Sequence, residues 1–525
     1  MSPVIPQDVM RVIKNLKNKK SVGYDGISTK AVKFVSDCII APLAHIINVS
    51  IFSGIFPESL KTAVVKPLHK KHDKDKMINY RPIALIPIFS KIIEKIIYES
   101  LYSFLTKYHI LCDEQKGFRK NKNINMAIFD FLHKIMPKVD SKTPICAIYA
   151  DMSKAFDCVD HDILLTKLQA YGIRGNALNL IKTYLKGRKQ CTEISSLCLK
   201  SRKELKFTSS FRVIEYGVPQ GSVLGPLLFL LYINDLPRHI FHPMVLFADD
   251  STSIVSCVNK ESYVNDINDT ISSLITWLNN NNLVINLQKT KIMHFHQRIH
   301  MGDMDINFNS QTIEKVNKTK FLGILIDNQL TWKPHAEDIC KRLSTAAFML
   351  HNLSKKVNIP TILVAYHGLV ISILRFGIIF WGHCSDRESI FKVQKRCLRA
   401  IFGLKMTDSC VPIFKSHTLL TFPCLYILEI AIFVATNRSL FPTLIETRKR
   451  NTAMRSQYQN LLSTGVFKTS LLKKNVLCMA PLVYNKIPDR IKNLPLQKFK
   501  KCLTELLVNK CYYSVQEFLN DNNLM

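Results

Sequence analysis

Asp249 and Asp250 stand side by side between two apolar, β-prone runs, Val245-Leu246-Phe247-Ala248 and Ser251-Thr252-Ser253-Ile254-Val255-Ser256. Such a stretch reads as strand, Asp-Asp tip, strand, a hairpin that aims charge out of a core. Adjacent like charges repel, and solvent or a cation must offset that repulsion. Taken alone, an Asp-Asp pair is most often a solvated turn. A third acid changes the weighing: Asp151 ends another apolar strand pattern, Ile145-Cys146-Ala147-Ile148-Tyr149-Ala150. Carboxylate oxygens suit hard cations, and Mg²⁺ is held through one or two of them plus phosphates and water. A pair of such ions, about 3.5–4 Å apart, can activate a hydroxyl and hold the leaving oxygens of an in-line displacement at phosphorus. The chemistry in question is phosphoryl transfer.

Asp151 and Asp249 are far apart in sequence, so the fold must bring their strands together; an antiparallel sheet backed by helices does this. After Asp151 a helical pattern runs from Asp160 through Ile163, Leu164 and Leu168 to a stop at Gly172. Between the two acidic strands lies Tyr216-Gly217-Val218-Pro219-Gln220-Gly221-Ser222-Val223-Leu224-Gly225-Pro226. Its Pro-Gln-Gly turn predicts close backbone approach, and the apolar run that follows predicts a buried helix. Upstream, Val64–Lys71 and Asn79–Ile86 are β-prone pieces around a basic loop. They form a fingers-like hairpin whose Lys70 and Arg81 are candidate cations for an entering triphosphate. Downstream, Trp277–Ile292 reads as helix, polar turn and strand, with Lys289 in the turn. Beyond Pro334, Ile339, Leu343, Ala346, Leu350 and Leu353 mark one face of an amphipathic helix.

Three stretches in order, Asp151-Met152-Ser153-Lys154-Ala155-Phe156-Asp157, Gly217-Val218-Pro219-Gln220-Gly221 and Phe247-Ala248-Asp249-Asp250, resemble the A, B and C motifs of reverse transcriptases. Their wording is similar to the non-LTR retrotransposon branch (LINE, jockey-like). Lys19-Lys20-Ser21-Val22-Gly23-Tyr24-Asp25-Gly26-Ile27 resembles an element at the N-terminal edge of that polymerase, so a separate or lost endonuclease is expected. The resemblance implies an α+β right-hand fold: fingers, palm with an antiparallel sheet, thumb, then a mostly helical C-terminal region. The expected partition is an N-terminal extension over 1–60, fingers over 61–146, palm over 147–332, a thumb-like helical region over 333–405 and a helical basic region over 406–525.

The implied activity is RNA-directed DNA polymerisation, adding dNTPs to a primer 3′ end with two Mg²⁺ ions, Mn²⁺ being a substitute. Asp151, Asp249 and Asp250 are the implied metal and catalytic residues. Lys289 matches the lysine of motif D, near the incoming phosphates and able to protonate pyrophosphate. Phe156 matches an aromatic that sits under the sugar and excludes a 2′-hydroxyl, which argues for a DNA product over an RNA one. Gln220 and Gly221 are implied to line the nucleotide and template base, with Lys70 and Arg81 on the triphosphate. Gln115-Lys116-Gly117-Phe118-Arg119 resembles an element along the template, and Lys320–Asp327 a primer-gripping hairpin with Gly323 at its turn. The partners implied are an RNA template, a DNA primer and dNTPs. A catalytically inactive, nucleic-acid-binding remnant of the same fold is the alternative from another class.

Lys and Arg number 72 against 40 acids, a net charge of +32 over 525 residues, far more than solubility requires. A polyanionic partner is the economical explanation. Fifteen cysteines without a C-x-x-C pair show no zinc ribbon or knuckle and suit a reducing interior. The first residues lack a signal-peptide pattern, so the expected location is intracellular, in nucleus or cytoplasm. Thr361–Gly382 is long and apolar, but His367 and Arg375 are expensive in lipid, so buried helices are expected there. The same holds for Leu419–Ala435 with Pro423 and Glu429.

Overall fold

The structure, a computed structural model, describes residues 1–70, 73–197, 204–257, 260–295, 307–308, 311–447, 461–470 and 472–523. Lys71 and His72 of the basic loop, and 448–460 of the C-terminal region, lie outside the described residues.

The acids hang from one mixed sheet. Its order is Glu314–Lys315, Lys291–Phe295, Ile145–Ala150, Asp250–Ser256, Met244–Phe247, and only the first neighbour pair is parallel. The central strand reads as an unbroken apolar run because both of its faces are covered. Ile145 and Ala147 face a core that holds Ile128, Phe131 and Leu132 of the helix Ile124–Asp140. Cys146 and Ile148 face Tyr263, Ile267 and Ile271 of the helix Lys260–Asn280. With helices on both sides, the sheet can project its charged end only along the strand direction.

A second sheet forms the fingers-like part. Thr62–His69 and Tyr80–Leu85 make the expected antiparallel hairpin, and Thr62–His69 pairs in parallel with Lys189–Leu197 on its other edge. The helices Pro6–Asn15, Ser36–Ser53, Ile88–Lys107, His161–Ala170, Gly175–Leu185 and Leu224–Tyr232 share the core beneath. His161–Ala170 starts where expected, Asp160 accepting from the Asp162 and Ile163 amides as N-cap, and ends before Gly172 in the left-handed region.

After the hairpin Lys318–Phe321 and Ile324–Asp327, the described residues form mainly helices. Lys333–Ser354 buries the expected Ile339, Leu343, Ala346 and Leu350, and packs on Arg387–Phe402. The apolar stretch from Thr361 breaks at Phe376-Gly377 into short helices. Its Arg375 donates through Nε to Glu429 at 2.7 Å, so the two charges flagged in these apolar segments offset each other. Glu429 lies on Phe422–Thr436, a helix buried on nearly every side and flanked by Val476–Lys486 and Leu496–Lys510. This layer and the helix Ile124–Asp140 share one core, with Phe129 5.4 Å from both Phe433 and Phe441 by ring centroid. Among the described residues one helix, Ser36–Ser53, is long and apolar enough by length and composition to cross a membrane. The described cysteines are free.

Candidate active site

Phe247 pairs with Asp250, so the hairpin turn consists of Ala248 and Asp249. The tip is therefore Ala-Asp, and Asp250 opens the second strand. One register step away, Ala150 pairs with Ser251, which carries Asp151 to the same end of the sheet as Asp249 and Asp250. Ser251 Oγ donates to the Ala150 carbonyl at 3.4 Å across this pair.

The carboxyls sense one another. Burial, and then the Asp151 charge, push Asp249 above the usual carboxylate range, against the pull of a backbone amide, Lys70 and Arg81. Asp250 is pushed up to about 6 by burial, then by Asp249 and Asp151, with Lys70 opposing. Asp250 keeps solvent on one side although protein fills most of the space around its carboxyl. Like-charge crowding of this kind is what a bound cation relieves.

Lys70 and Arg81 reach these acids because of hairpin register. Leu68 pairs with Arg81 and His69 with Tyr80, and the Lys70 amide donates to Asn79 O at 2.8 Å, closing the strand ends next to the acidic turn. Lys289 arrives from the other side. Val284 and Ile285 pair with Ser153 and Met152, and the Asn286 amide donates to Asp151 O at 2.8 Å. That latch brings Lys289 Nζ to 3.5 Å from Asp151 Oδ2, both groups partly in solvent.

Phe156 lies half-buried below the site, stacked on Phe229 with ring centroids 4.3 Å apart. Phe118 meets its other side edge-on at 6.1 Å. The Phe156 carbonyl accepts from the Val218 amide at 2.8 Å, so Phe156 and the Pro219-Gln220-Gly221 turn are joined by main chain. Gln220 O accepts from the Ala84 amide at 2.7 Å, while Gln220 Nε2 donates to Asp157 Oδ1 at 2.9 Å. Gly221 has φ +126, and a Cβ there would lie 2.5 Å from the Ala84 carbonyl oxygen. A side chain at 221 would push the turn off the fingers strand. Gln220 and Gly221 thus bridge the fingers hairpin and Asp157, the residue after Phe156. Gly323 packs under the ring of Phe376.

Three further residues complete the arrangement. Asp157 holds Gln220, as above. Glu94, fully buried, accepts from the Val223 and Leu224 amides at 2.7 and 3.2 Å and from Ser90 Oγ at 3.0 Å, capping the helix Leu224–Tyr232. Burial pushes its carboxyl up, with Arg188 and those amides pulling it back. The signal was present: Ser90, Glu94, Ile97 and Leu101 share one helical face, and a charge on a buried stripe needs a partner. The third, Gln115, sits under the acidic turn. Segment 115–119 lies beside the acidic turn, Gln115 Oε1 accepting from the Ala248 amide at 3.0 Å and Phe118 meeting the Phe156 ring edge-on.

The donor set fits Mg²⁺ in kind: carboxylate oxygens, crowded enough to raise Asp250, opened to one side. Among the described residues no three acidic, His or Cys side chains converge as a ready-made cage, and Asp151 pairs with Lys289. Mg²⁺ takes its remaining ligands from water and phosphate oxygens, so a preformed cage is not required of this site.

Residues 69–326 match the family described as reverse transcriptase (RNA-dependent DNA polymerase). A probable RNA-directed DNA polymerase from transposon BS of Drosophila melanogaster is 28% identical over 424 residues, covering 76% of this chain and 45% of that protein. The RNA-directed DNA polymerase from mobile element jockey of the same species is 25% identical over 424 residues, covering 77% and 44%. The chain thus spans less than half the length of these curated relatives. Among solved structures, apo telomerase from Candida tropicalis, truncated from its C-terminal domain, aligns with 15% identity and a TM-score of 0.35 over 52% of this chain and 54% of that one, too distant to argue from. The stretch that matches this family holds the acid-bearing, mainly antiparallel sheet and most of the fingers-like hairpin, and the fold is α+β, as the right hand of a polymerase is.

Proposed function

We propose that this chain, whose residues 69–326 belong to the reverse transcriptase family, is an RNA-directed DNA polymerase of a non-LTR retrotransposon. The observation that carries the reading is the gathering of Asp151, Asp249 and Asp250 at one sheet end, with Lys70 and Arg81 on one side and Lys289 on the other.

Bound divalent cations, Mg²⁺ or Mn²⁺, would supply charge neutralisation for the attacking and leaving oxygens. Asp151, Asp249 and Asp250 would hold them, Asp151 leaving Lys289 to do so. Lys70 and Arg81 would offset the charge of an entering triphosphate. Lys289, released from Asp151, has an exposed ammonium that can give a proton to departing pyrophosphate. Phe156, held from behind by Phe229, presents a rigid apolar surface that a 2′-hydroxyl would meet without a hydrogen-bond partner. Gln220 and Gly221, fixed by Asp157 and Ala84, would set the floor under the paired base.

The substrates proposed are an RNA template, a DNA primer and dNTPs, recognised through shape and phosphate contacts by the strongly basic surface. A separate endonuclease activity would supply the primer, and the location that goes with these substrates is the nucleus or cytoplasm. The test is primer extension on poly(rA)/oligo(dT) with Mg²⁺, running the chain beside Asp249→Ala. Incorporation of dTTP by the first alone supports the reading. If neither extends the primer while both bind the duplex with steep salt dependence, the chain is a binding remnant.

A further inference from the structure

The acidic turn does not hold its shape by its own residues. Ala248, the first of its two turn residues, has φ +58, a conformation that favours glycine. Something outside the hairpin must hold the peptide there. That something is Gln115, only 2% exposed. Its Oε1 accepts from the Ala248 amide at 3.0 Å and from the Gly117 amide at 2.8 Å, and its Nε2 donates to the Ala248 carbonyl at 3.4 Å. Both polar atoms of Ala248's main chain are therefore met by one side-chain carboxamide.

The contact is built, not incidental. The Leu246 amide donates to Glu114 O at 3.0 Å and the Lys116 amide to Leu246 O at 2.8 Å, so segment 114–116 runs as a short parallel edge beside the first hairpin strand. At Gly117 a Cβ would stand 2.3 Å from the Ala248 nitrogen, and only glycine lets the segment come this close. One residue on, Phe118 reaches the Phe156 ring. The same five residues thus touch both the acid turn and Phe156.

We propose that Gln115 is a positioning residue: by clasping the left-handed Ala248 peptide it sets the direction in which Asp249 and Asp250 present their carboxylates. This rests on the reading of those acids as the metal-holding pair. Gln115→Met keeps the side-chain length and removes all three hydrogen bonds. In the metal-free protein, amide hydrogen exchange in peptides covering 244–256 then rises by about tenfold or more, because the Ala248 amide loses its acceptor. In primer extension kcat falls by about tenfold or more, while KM for dTTP stays within about twofold and thermal unfolding is little changed. Gln115→Glu retains an acceptor for both amides and restores the exchange protection. In the Gln115→Met background, Ala248→Gly recovers part of kcat, since glycine adopts the turn without the clasp.

Wild-type exchange and kcat in Gln115→Met overturn the proposal, and so does a fall in kcat matched by a rise in KM and a lost melting transition. Should Gln115→Met not fold, Gln115→Glu decides alone, and unprotected amides in it overturn the proposal. Asp249→Ala run alongside separates the two levels: full activity in that variant removes the underlying reading, whereas its inactivity beside a normal Gln115→Met removes only the inference.

Discussion

The acid end of the palm sheet and the helical layer around Phe422–Thr436 solve opposite problems. At the acids, carboxylates repel, a non-glycine residue sits at positive φ, and neighbours from separate segments reach in to hold or offset them: Lys70, Arg81, Gln115 and Lys289. In the layer, apolar side chains fill a common core and the Arg375–Glu429 pair offsets the charge that enters it. The first region stores strain and charge, and the second supplies the burial that makes the storage possible. Function and stability should therefore separate under mutation.

The largest expected effect tests that separation from the functional side. Asp249→Ala lowers primer extension by roughly 10³-fold or more while the melting temperature holds or rises, since crowded charge is removed. Loss of folding in this variant would collapse the distinction. From the stability side, Phe422→Ala, at a ring stacked on Trp381 with centroids 5.8 Å apart, costs about 3–5 kcal/mol in denaturant unfolding. KM for dTTP in the protein that remains folded stays unchanged, and a shifted KM would tie the layer directly to the site.

A smaller effect sharpens the functional half. Phe156→Ala raises the efficiency of rTTP relative to dTTP by roughly 10–200-fold in competition assays. Unaltered selectivity would reduce that ring to packing on Phe229.

The smallest effect concerns charge. The folded-state pKa of Asp250, about 6, lies above its ordinary value of 3.8. Its contribution to stability is thus fully present below pH 3.8, fades between there and about 6, and is gone above. Metal-free protein should lose melting temperature relative to Asp250→Asn as pH rises through this window, and Mg²⁺ should restore it at pH 7. Parallel melting curves for the two proteins would remove the crowding argument.

Legibility followed the same division. The acidic strands, the motif order, the fingers hairpin and the helix after Gly225-Pro226 were readable because residue type and local period set them. The tip was misjudged by one residue, since hairpin register places Asp250 in the strand and Ala248 in the turn. The contact of Gln115 with Ala248 was not legible because the two stand 133 residues apart, a separation no local pattern encodes. Glu94 carried a readable warning, a charge on a buried stripe, but its partners at Val223 and Leu224 could come only from the fold. The helix Phe422–Thr436 announced itself as apolar without saying what it covers, because burial on nearly all sides erases the periodic face that points to a neighbour.

One contact in that layer bears on how the molecule comes into being. Asp140, at the end of the helix Ile124–Asp140, accepts from the main-chain amides of Lys468 and Thr469, 328 and 329 residues later. During synthesis that helix leaves the ribosome long before its partners Phe433, Phe441 and Lys468 exist, so its own outer face, with Phe129, must wait with apolar surface uncovered. Completion of this core is a late, long-loop event. The core beside the acids is therefore closed by residues more than three hundred positions further along the chain.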